Sequence, residues 1–240
     1  MEYLELLKTP SRGFYGKGVL SVAQCLEMCI AISAHHDKLL QVGTPNNGIW
    51  VLAQWEVQPK KDILPGSEVR VQTELFQDGR LGIVRSYRIE DASTNEPLFC
   101  ACAKWVLMDA KSRRLLRIGP ETLGLDHIPP SDHVFTRLVQ KEEEGICTTL
   151  PLVRLAIDEN EHVNNLAYLA YAIEVLTEEE FSQRKLIGLS IRYHKELRVE
   201  EHSNLTLRRI SSSEETQVEM MNRGEEHLVT VQFRWAFLEP

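Results

Sequence analysis

The sequence carries the same order of elements twice, and this internal repeat limits the fold more than any other feature. A helix-like run at residues 19–42 is followed by four strand-like runs, separated by turn signals at Pro65-Gly66, Asp78-Gly79 and Thr94-Asn95. After residue 130 the order returns, with a helix at about 164–176, a short helix opened by a capping box at Thr177, and four more strand-like runs. The pattern predicts two copies of one unit, each an antiparallel sheet with a long helix.

A shift of 136 residues lays the first copy over the second. It pairs Trp55 with Ile191 and Val57 with Tyr193, and it sets Lys60 against Glu196. After a shorter second hairpin, Lys104-Trp105 falls over Arg234-Trp235. Few residues are identical, but the elements keep their order, as a duplication predicts.

The helix of the second copy is apolar nearly all round, which predicts that a sheet encloses it. Its apolar residues are Leu166, Tyr168, Leu169, Ala170, Ala172, Ile173 and Val175. We therefore predict an α+β fold, a tandem or double hotdog in which each curved antiparallel sheet wraps around a long central helix. The segment 119–135 is rich in Pro, Gly and Asp and is predicted to link the copies, giving domains at 1–129 and 130–240.

Charge and hydropathy exclude several classes of partner. The net charge is -8 and there is no basic stripe interleaved with aromatics, so nucleic acid is not expected as a partner. No apolar run approaches the roughly 18 residues of a membrane helix, and the N-terminal residues lack a signal-peptide pattern. The expectation is a cytoplasmic protein that does not bind a membrane.

The cysteines and histidines do not form a metal pattern. The five cysteines include no C-x-x-C pair, which argues against a disulfide framework and a structural zinc site. Cys25 and Cys29 are predicted to be small buried hydrophobes on one helix face. His35 and His36 are adjacent and point apart on a helix, so we predict no metal site there, and no cofactor elsewhere.

One polar cluster stands out, the run from Asp158 to Asn165 just ahead of the second helix. In an extended segment the spacing Asp-x-Asn-x-His would place Asp158, Asn160 and His162 on one side. The start of the helix would add backbone N–H groups suited to a developing oxyanion. The alternative is an ordinary helix N-terminus, because Asp and Asn are favoured caps and Asn164 and Asn165 fit that role.

Three stretches together resemble the acyl-acyl-carrier-protein thioesterases of plants and bacteria, which have a double hotdog fold. They are IDENEHVNNLAYLAY, RYHKEL and KWVLMDAKSRRLLRI, and the resemblance extends from about Gly16 to Phe237. It implies hydrolysis of the thioester to acyl carrier protein, with release of a free fatty acid. The family's catalytic residues fall on Asp158, Asn160, His162 and Glu196. Without the resemblance, Glu196 would be taken for a solvated strand residue.

The resemblance also implies that the N-terminal half houses the acyl chain and the C-terminal half the chemistry. Met28, Cys29 and Ile32 are the candidate wall residues, although a plain core would contain the same residues. Asn164 is a further candidate for substrate contact.

Water is the expected nucleophile, because Leu197 stands where many plant relatives have a cysteine. Either Glu196 or Asp158 would take the water proton, and His162 would orient that base and protonate the leaving sulfur. Asn160 and the helix N–H groups would hold the oxyanion.

The expected partner is acyl carrier protein, which is acidic, so docking requires a basic patch. The candidate is the turn from Lys111 to Arg117, with Arg113 and Arg114 at its centre, and Arg184-Lys185 is the second choice. A solvated basic turn is equally compatible with the sequence.

Several alternatives stay open at this point. They are an acyl-CoA thioesterase, a hydro-lyase acting on 3-hydroxyacyl thioesters, and a non-catalytic module that binds acyl carrier protein. The sequence leaves undecided the acyl chain length and saturation, and whether chains pair as a homodimer.

Overall fold

The fold consists of two compact units, Met1–Phe135 and Thr136–Pro240. The computed structural model describes residues 2–10, 18–40, 47–158, 161–198 and 204–237. The predicted boundary at 129/130 lies a few residues before this division, and the functional roles given to the two halves stay predictions. Within the described ranges, no helix is both long enough and apolar enough to cross a membrane.

The described residues of the first unit form five antiparallel strands and one long helix. In space the strands follow the order β1-β3-β4-β5-β2. Their bounds are β1 Glu2–Lys8, β2 Gly48–Pro59, β3 Glu68–Asp78, β4 Gly82–Asp91 and β5 Pro97–Asp109, and helix α1 spans Gly18–Leu40.

The second unit repeats this plan in the part that the structure describes. Its strand order is β6-β8-β9-β10-β7, which matches the first unit strand for strand. The bounds are β6 Ile146–Leu150, β7 Arg184–Tyr193, β8 Leu205–Ser211, β9 Glu215–Met221 and β10 His227–Phe237, with helices α2 Asn165–Glu174 and α3 Glu178–Ser182. The predicted repeat is confirmed, because the two units share the spatial order of their strands as well as the order of elements along the chain.

The edge strands β1 and β6, each of which precedes the helix of its unit, were not predicted from the sequence pattern. β1 pairs with β3, and β6 pairs with β8. An edge strand bonds a sheet on one side only and buries little, so its apolar alternation is weak. In β1 every second residue is half-buried, and the others are exposed.

Local turn chemistry was predicted correctly. Gly79 has φ +61° and Asn95 has φ +60°, both left-handed conformations that suit these residue types. The Asp91 carboxylate accepts bonds from Ser93 and from the Thr94 N–H, the latter at 2.9 Å. These hydrogen bonds, that of the Ser93 hydroxyl first, lower the pKa of Asp91 to about 2.

Helix α1 buries one apolar face against its sheet. Val22, Leu26, Cys29 and Ile32 are fully buried, with the three- and four-residue spacing of one helix side. Burial raises the pKa of the Cys25 thiol to about 12, as expected of a cysteine that serves as a small hydrophobe.

Helix α2 is less enclosed than predicted. Its buried residues are Tyr168, Leu169, Tyr171 and Ala172. Ala170 is exposed, whereas the sequence placed it on a buried face. Alanine and leucine are good helix formers at any exposure, so an apolar helix sequence overstates burial.

The segment predicted as a linker packs on the first unit instead. Leu123 and Ile128 join a core cluster with Leu75, Ile83 and Leu107. The Gln77 N–H donates to the Pro129 carbonyl at 2.8 Å, and the Gln77 carbonyl accepts from the Ser131 N–H at 2.8 Å. Proline and glycine here shape an ordered loop, not a free connection.

Candidate active site

The described residues of the polar cluster ahead of α2 are joined by the hydrogen bonds of a tight turn. Ile157 and Val163 form an antiparallel bridge, and between them the Asp158 N–H donates to the His162 carbonyl at 2.8 Å. The Glu161 N–H donates to the Asp158 carbonyl at 3.1 Å, and Glu161 has φ +61°. The chain therefore reverses direction between Asp158 and His162.

The prediction of an extended segment is thus wrong, although Asp158 and His162 still lie close together. Side-chain alternation cannot align residues across a reversal of the chain. Instead the turn sets Asp158 opposite His162, and a carboxylate oxygen of Asp158 accepts the His162 backbone N–H at 3.2 Å. Asn160 lies outside the described residues, so its place in the site stays a prediction.

Asn164 caps helix α2. Its side-chain oxygen accepts the Leu166 N–H at 2.8 Å, which satisfies one of the free donors of the first turn. The capping role is therefore confirmed, and the predicted contact with substrate remains a prediction.

Replacing Asn164 with Ala should lower the free energy of unfolding by about 1 kcal/mol, because one N–H of the first helical turn loses its acceptor. Asn164→Ser, which restores a side-chain oxygen, should recover most of that loss. Denaturant titration of the three proteins measures the effect. Equal stability of the Ala variant and the parent would show that the cap contributes nothing.

Three N–H groups at the start of α2 are already used within the protein and are not available as oxyanion donors. Leu166 donates to the Asn164 side chain, and Ala167 donates to the Asn164 carbonyl at 2.9 Å. The Asn164 N–H itself donates to the Ala156 carbonyl at 2.7 Å. Donors already used within the protein cannot serve a substrate without being released. The predicted role is therefore wrong for these three groups.

The segment carrying Glu196 binds the same turn from outside. β7 ends at Tyr193, and the chain continues past the turn. The Val163 N–H donates to the Leu197 carbonyl at 3.0 Å, and His162 and Arg198 form an antiparallel bridge. Leu197 is fully buried, so alternation puts Glu196 and Arg198 on the opposite face, alongside His162. Asp158, His162 and Glu196 therefore lie in the same region of the second unit.

Hydrogen bonding after β7 corrects the register of the repeat. The N–H groups of His194 and Lys195 both donate to the Leu228 carbonyl, at 2.8 and 3.2 Å. After β2, the N–H groups of Lys60 and Lys61 both donate to the Leu98 carbonyl, at 2.9 and 3.1 Å. Lys60 is therefore the counterpart of His194, not of Glu196.

The structural counterpart of Glu196 in the first unit is Asp62. The next residues also agree, since Ile63 and Leu197 are both buried. The predicted shift of 136 was two residues too long at this point, an error that leaves every side chain on its correct face because strands have period two. The first unit thus keeps a carboxylate here, and Asp62 is exposed.

A histidine cluster missed by sequence analysis anchors the Glu196 segment. His194 and His227 stack with ring centroids 4.2 Å apart, and the Nε2 atoms of both lie near the buried hydroxyl of Thr230, at 3.1 and 3.0 Å. Partial desolvation, with His227 next to it, lowers the pKa of His194 to about 4. Lys195 also pairs with Glu226. Only spatial proximity reveals this cluster, because 33 positions separate the two histidines.

Cys29 and Cys102 are poorly suited to nucleophilic catalysis. Burial raises the pKa of Cys29 well above its usual value and that of Cys102 to about 11. A thiol is reactive as its thiolate, so these groups are inert near neutral pH. Among the described residues, no group of three or more His, Cys, Asp or Glu side chains is arranged to hold a metal ion.

The predicted acyl-chain residues lie on α1, mostly within the core. Cys29 and Ile32 are fully buried and Met28 is half-buried. A cavity beside the helix is lined by other positions of α1, among them Ile30, Ser33 and Asp37. Contact of Met28, Cys29 or Ile32 with substrate stays a prediction.

The basic turn after β5 is exposed and well formed. The Asp109 carboxylate accepts the N–H groups of Lys111 and Ser112 at 3.1 and 2.6 Å. Arg113 and Arg114 are exposed at the tip, where Arg113 has φ +56°. Arg184, from the second candidate patch, instead pairs with Glu179 and donates to the Ser212 carbonyl. The structure favours the first patch over the second as a binding surface.

Two family models together match most of the chain. The acyl-ACP thioesterase N-terminal domain matches residues 12–125, and the C-terminal domain of the same family matches residues 139–237. A similar curated protein is a chloroplastic palmitoyl-acyl carrier protein thioesterase from Cuphea hookeriana, 30% identical over 157 residues. That match covers 62% of this chain and 38% of the relative, so the chain spans well under half of the relative's length.

Solved structures agree on the fold. A 12:0-ACP thioesterase from Umbellularia californica superposes with a TM-score of 0.83 at 19% identity, covering 99% of this chain and 98% of that one. An acyl-ACP thioesterase from Bacteroides thetaiotaomicron gives a TM-score of 0.81 at 16% identity, covering 98% of both chains. The predicted double hotdog is confirmed.

Proposed function

Since the chain belongs to the acyl-acyl-carrier-protein thioesterase family, we propose that it hydrolyses the thioester between a fatty acyl group and acyl carrier protein. The products are a free fatty acid and the carrier thiol. One arrangement carries the proposal: the turn between Ile157 and Val163 sets Asp158 opposite His162, and the segment with Glu196 bonds to the same turn.

The chemistry needs one activated water. Its oxygen attacks the carbonyl carbon while a carboxylate takes one of its protons, a step typically worth about 10²–10⁴ in rate. The C–S bond then breaks, and His162 protonates the departing sulfur. The proton on the carboxylate returns to His162, which completes the cycle. Asn160 is proposed to hold the oxyanion, which one donor stabilises by about 3–4 kcal/mol.

We assign the base role to Glu196 and a positioning role to Asp158. One oxygen of Asp158 accepts the His162 N–H and so helps to hold the turn closed. Glu196 lies on the face of its segment that His162 shares, and it is half-buried, so water can reach it. A base requires both access to the nucleophile and a partner to share the proton.

Comparison of one acyl group on acyl carrier protein and on coenzyme A tests this proposal. We expect free acid and thiol in equal amounts, with kcat/KM larger for the carrier-bound substrate. Faster turnover of the coenzyme A thioester would indicate an acyl-CoA thioesterase. Formation of an enoyl thioester from a 3-hydroxyacyl substrate would indicate a hydro-lyase, and tight binding without acid release a carrier-binding module.

The basic turn is proposed to dock the carrier protein. Reversing both charges, in the double variant Arg113→Glu and Arg114→Glu, should raise KM for the acyl carrier substrate by about 10-fold, because the carrier is acidic. The KM for the coenzyme A thioester should not change. Lys60→Glu with Lys61→Glu, an equal charge change at another exposed pair, is the matched control. An unaltered carrier KM in the arginine variant would remove the docking role.

A cytoplasmic location is also proposed, on the sequence pattern alone. Fractionation of cells that produce the full chain tests it, with recovery in the membrane or an organelle fraction as the contrary result.

A further inference from the structure

The segment that carries Glu196 lies beyond the regular pairing of its strand. β7 ends at Tyr193, and the N–H groups of His194 and Lys195 share one acceptor, the Leu228 carbonyl. In a regular antiparallel ladder each bonded N–H has a carbonyl of its own, so the shared carbonyl marks the point where regular pairing stops. The position of Glu196 therefore depends on contacts that the chain makes after this point.

A buried hydroxyl ties the first residue of the segment to β10. Thr230 is fully buried, and its Oγ1 lies 3.1 Å from Nε2 of His194 and 3.0 Å from Nε2 of His227. A hydroxyl can donate one hydrogen bond and accept another. It can therefore bond both rings while both are neutral, if one ring presents an N–H and the other a lone pair.

The surroundings of the two rings favour this neutral state. Partial desolvation is the main cause that lowers the pKa of both histidines, and Arg192 lowers both further. Arg208 also lowers the pKa of His227, whereas Glu219 acts in the opposite direction on both. Glu219 is itself fully buried and bonds Arg208 at 2.5 Å. Near neutral pH the rings are therefore uncharged, and the shared hydroxyl keeps both of its bonds.

The first unit has the same backbone arrangement without these side chains. There the N–H groups of Lys60 and Lys61 share the Leu98 carbonyl. Matching the strand pairing of the two units sets Lys60 at the place of His194, Cys100 at that of Thr230 and Pro97 at that of His227. The fold thus forms this end of the strand without the cluster. The cluster is found in the copy that carries Glu196, so the fold alone does not account for it.

We propose that His194 and His227 are positioning residues, which act through Thr230 to hold the Glu196 carboxylate where it can take a proton from water. The inference rests on the proposed thioester hydrolysis and adds two residues to it, neither of which is assigned a contact with substrate. A misplacement of about 1 Å can lower a rate about 10²-fold. Loss of the cluster should therefore lower kcat and leave KM nearly unchanged.

A double-mutant cycle tests this role. His227→Phe keeps an aromatic ring for stacking but removes the bond from Nε2, and it should lower kcat by about 10- to 100-fold. In the Glu196→Gln background the same substitution should change kcat by less than about 2-fold, because a carboxylate that is already absent cannot be misplaced. A reduction by the same factor in both backgrounds would show that His227 does not act through Glu196, and would overturn the inference.

Three further variants separate hydrogen bonding from packing. His227→Gln, whose amide can meet the Thr230 hydroxyl, should restore most of kcat. Thr230→Val, which removes the hydroxyl at similar volume, should repeat the loss seen in His227→Phe. Thr73→Val is the matched control and should keep full kcat, because Thr73 is 1% exposed and its hydroxyl has no hydrogen-bond partner among the described residues. Full kcat in both His227→Phe and Thr230→Val would contradict the proposal.

Amide hydrogen exchange tests the positioning role without turnover. The Val163 N–H donates to the Leu197 carbonyl at 3.0 Å, so its exchange rate reports whether the segment stays against the turn. Exchange at Val163 should be about 10-fold faster in His227→Phe than in the parent, as the loss of one or two hydrogen bonds predicts. Amides of β8 should keep their parent rates, which distinguishes local loosening from destabilisation of the whole unit.

The outcome is separable from that of the proposed function. If the parent releases no acid but exchange at Val163 responds to His227→Phe, the enzymatic proposal fails and the anchoring of the segment stands. If the parent hydrolyses the carrier thioester while Val163 exchanges alike in the parent and in His227→Phe, the enzymatic proposal stands and the positioning role fails.

Discussion

Glu196→Gln should lower kcat/KM for an acyl carrier thioester by about 10²–10⁴-fold, the usual contribution of a general base. The amide keeps the size and hydrogen bonding of the side chain but cannot accept the water proton. Because Leu197 and Val163 hold the segment in place through the backbone and the core, the substitution should leave the fold intact. Most of the loss should appear in kcat, since the base acts in the transition state.

The repeat supplies a matched control for this substitution. Asp62 occupies the same position in the first unit, following two N–H groups that share one carbonyl. Asp62→Asn should therefore leave kcat/KM unchanged, since no turn with Asp158 and His162 is expected beside it. Full activity of the Glu196→Gln variant would show that another group is the base. Asp158 would then be the next residue to test.

Glu180→Ala should destabilise the second unit by about 3–5 kcal/mol, the cost of breaking a buried ionic network. Glu180 is 2% exposed. Its carboxylate accepts the Thr177 N–H at 2.7 Å and the Ser211 hydroxyl at 2.7 Å, and it also bonds Thr216 and Arg209. It therefore ties α3 to strands β8 and β9. The loss should appear as a lower denaturant midpoint.

The same carboxylate predicts a pH dependence. Burial alone would raise the pKa of Glu180, but the hydrogen bonds from Thr177, Thr216 and Ser211 outweigh burial and lower it. A folded pKa below the unfolded value of about 4.3 means that the ionised carboxylate stabilises the fold above that pH. The stabilisation should be lost as pH falls through the lowered pKa.

Unfolding titrations of the parent, Glu180→Gln and Glu178→Gln measure this dependence. Glu178 is the control, because it lies in the same helical turn but is exposed. The parent should exceed Glu180→Gln in stability at pH 7, and the difference should shrink below about pH 4. A difference that stays constant with pH would show that Glu180 acts through packing and not through its charge.

The parts of the fold that could be predicted from the sequence are those that depend on local interactions. The Thr177 capping box was recognised from sequence, and both of its bonds are present. The turns at Gly79 and Asn95 depend on residues that tolerate positive φ, and they form where expected. In each case a few adjacent residues contain the whole physical cause.

The turn at the active site shows why the rest was missed. No glycine or proline marks it, and among its described residues Glu161 has a positive φ, which this residue type seldom adopts. Besides the local bonds between Asp158 and His162, the pairing of Val163 with Leu197, 34 positions away in sequence, holds the turn. Long-range pairing of this kind leaves no local trace, so the sequence suggested an extended segment.

Glu196 illustrates a second limit. Its sequence context, His194-Lys195-Glu196, is typical of a solvated strand end, and only the family resemblance distinguished it. The weak repeat placed Lys60 opposite Glu196, because a two-residue slip leaves the apolar alternation unchanged. Hydrogen bonds to Leu98 and Leu228 corrected that register, and they identified Asp62 as the counterpart.

Glu196 is proposed to activate the water that releases a fatty acid from acyl carrier protein. The most direct measurement follows free acid and carrier thiol over time, with the parent protein, Glu196→Gln and Asp62→Asn side by side on the same acyl carrier substrate. Equal yields of acid and thiol are expected from the parent and from Asp62→Asn, and a rate about 10²–10⁴-fold lower is expected from Glu196→Gln. Absence of acid release by the parent, or equal rates for all three proteins, would contradict it.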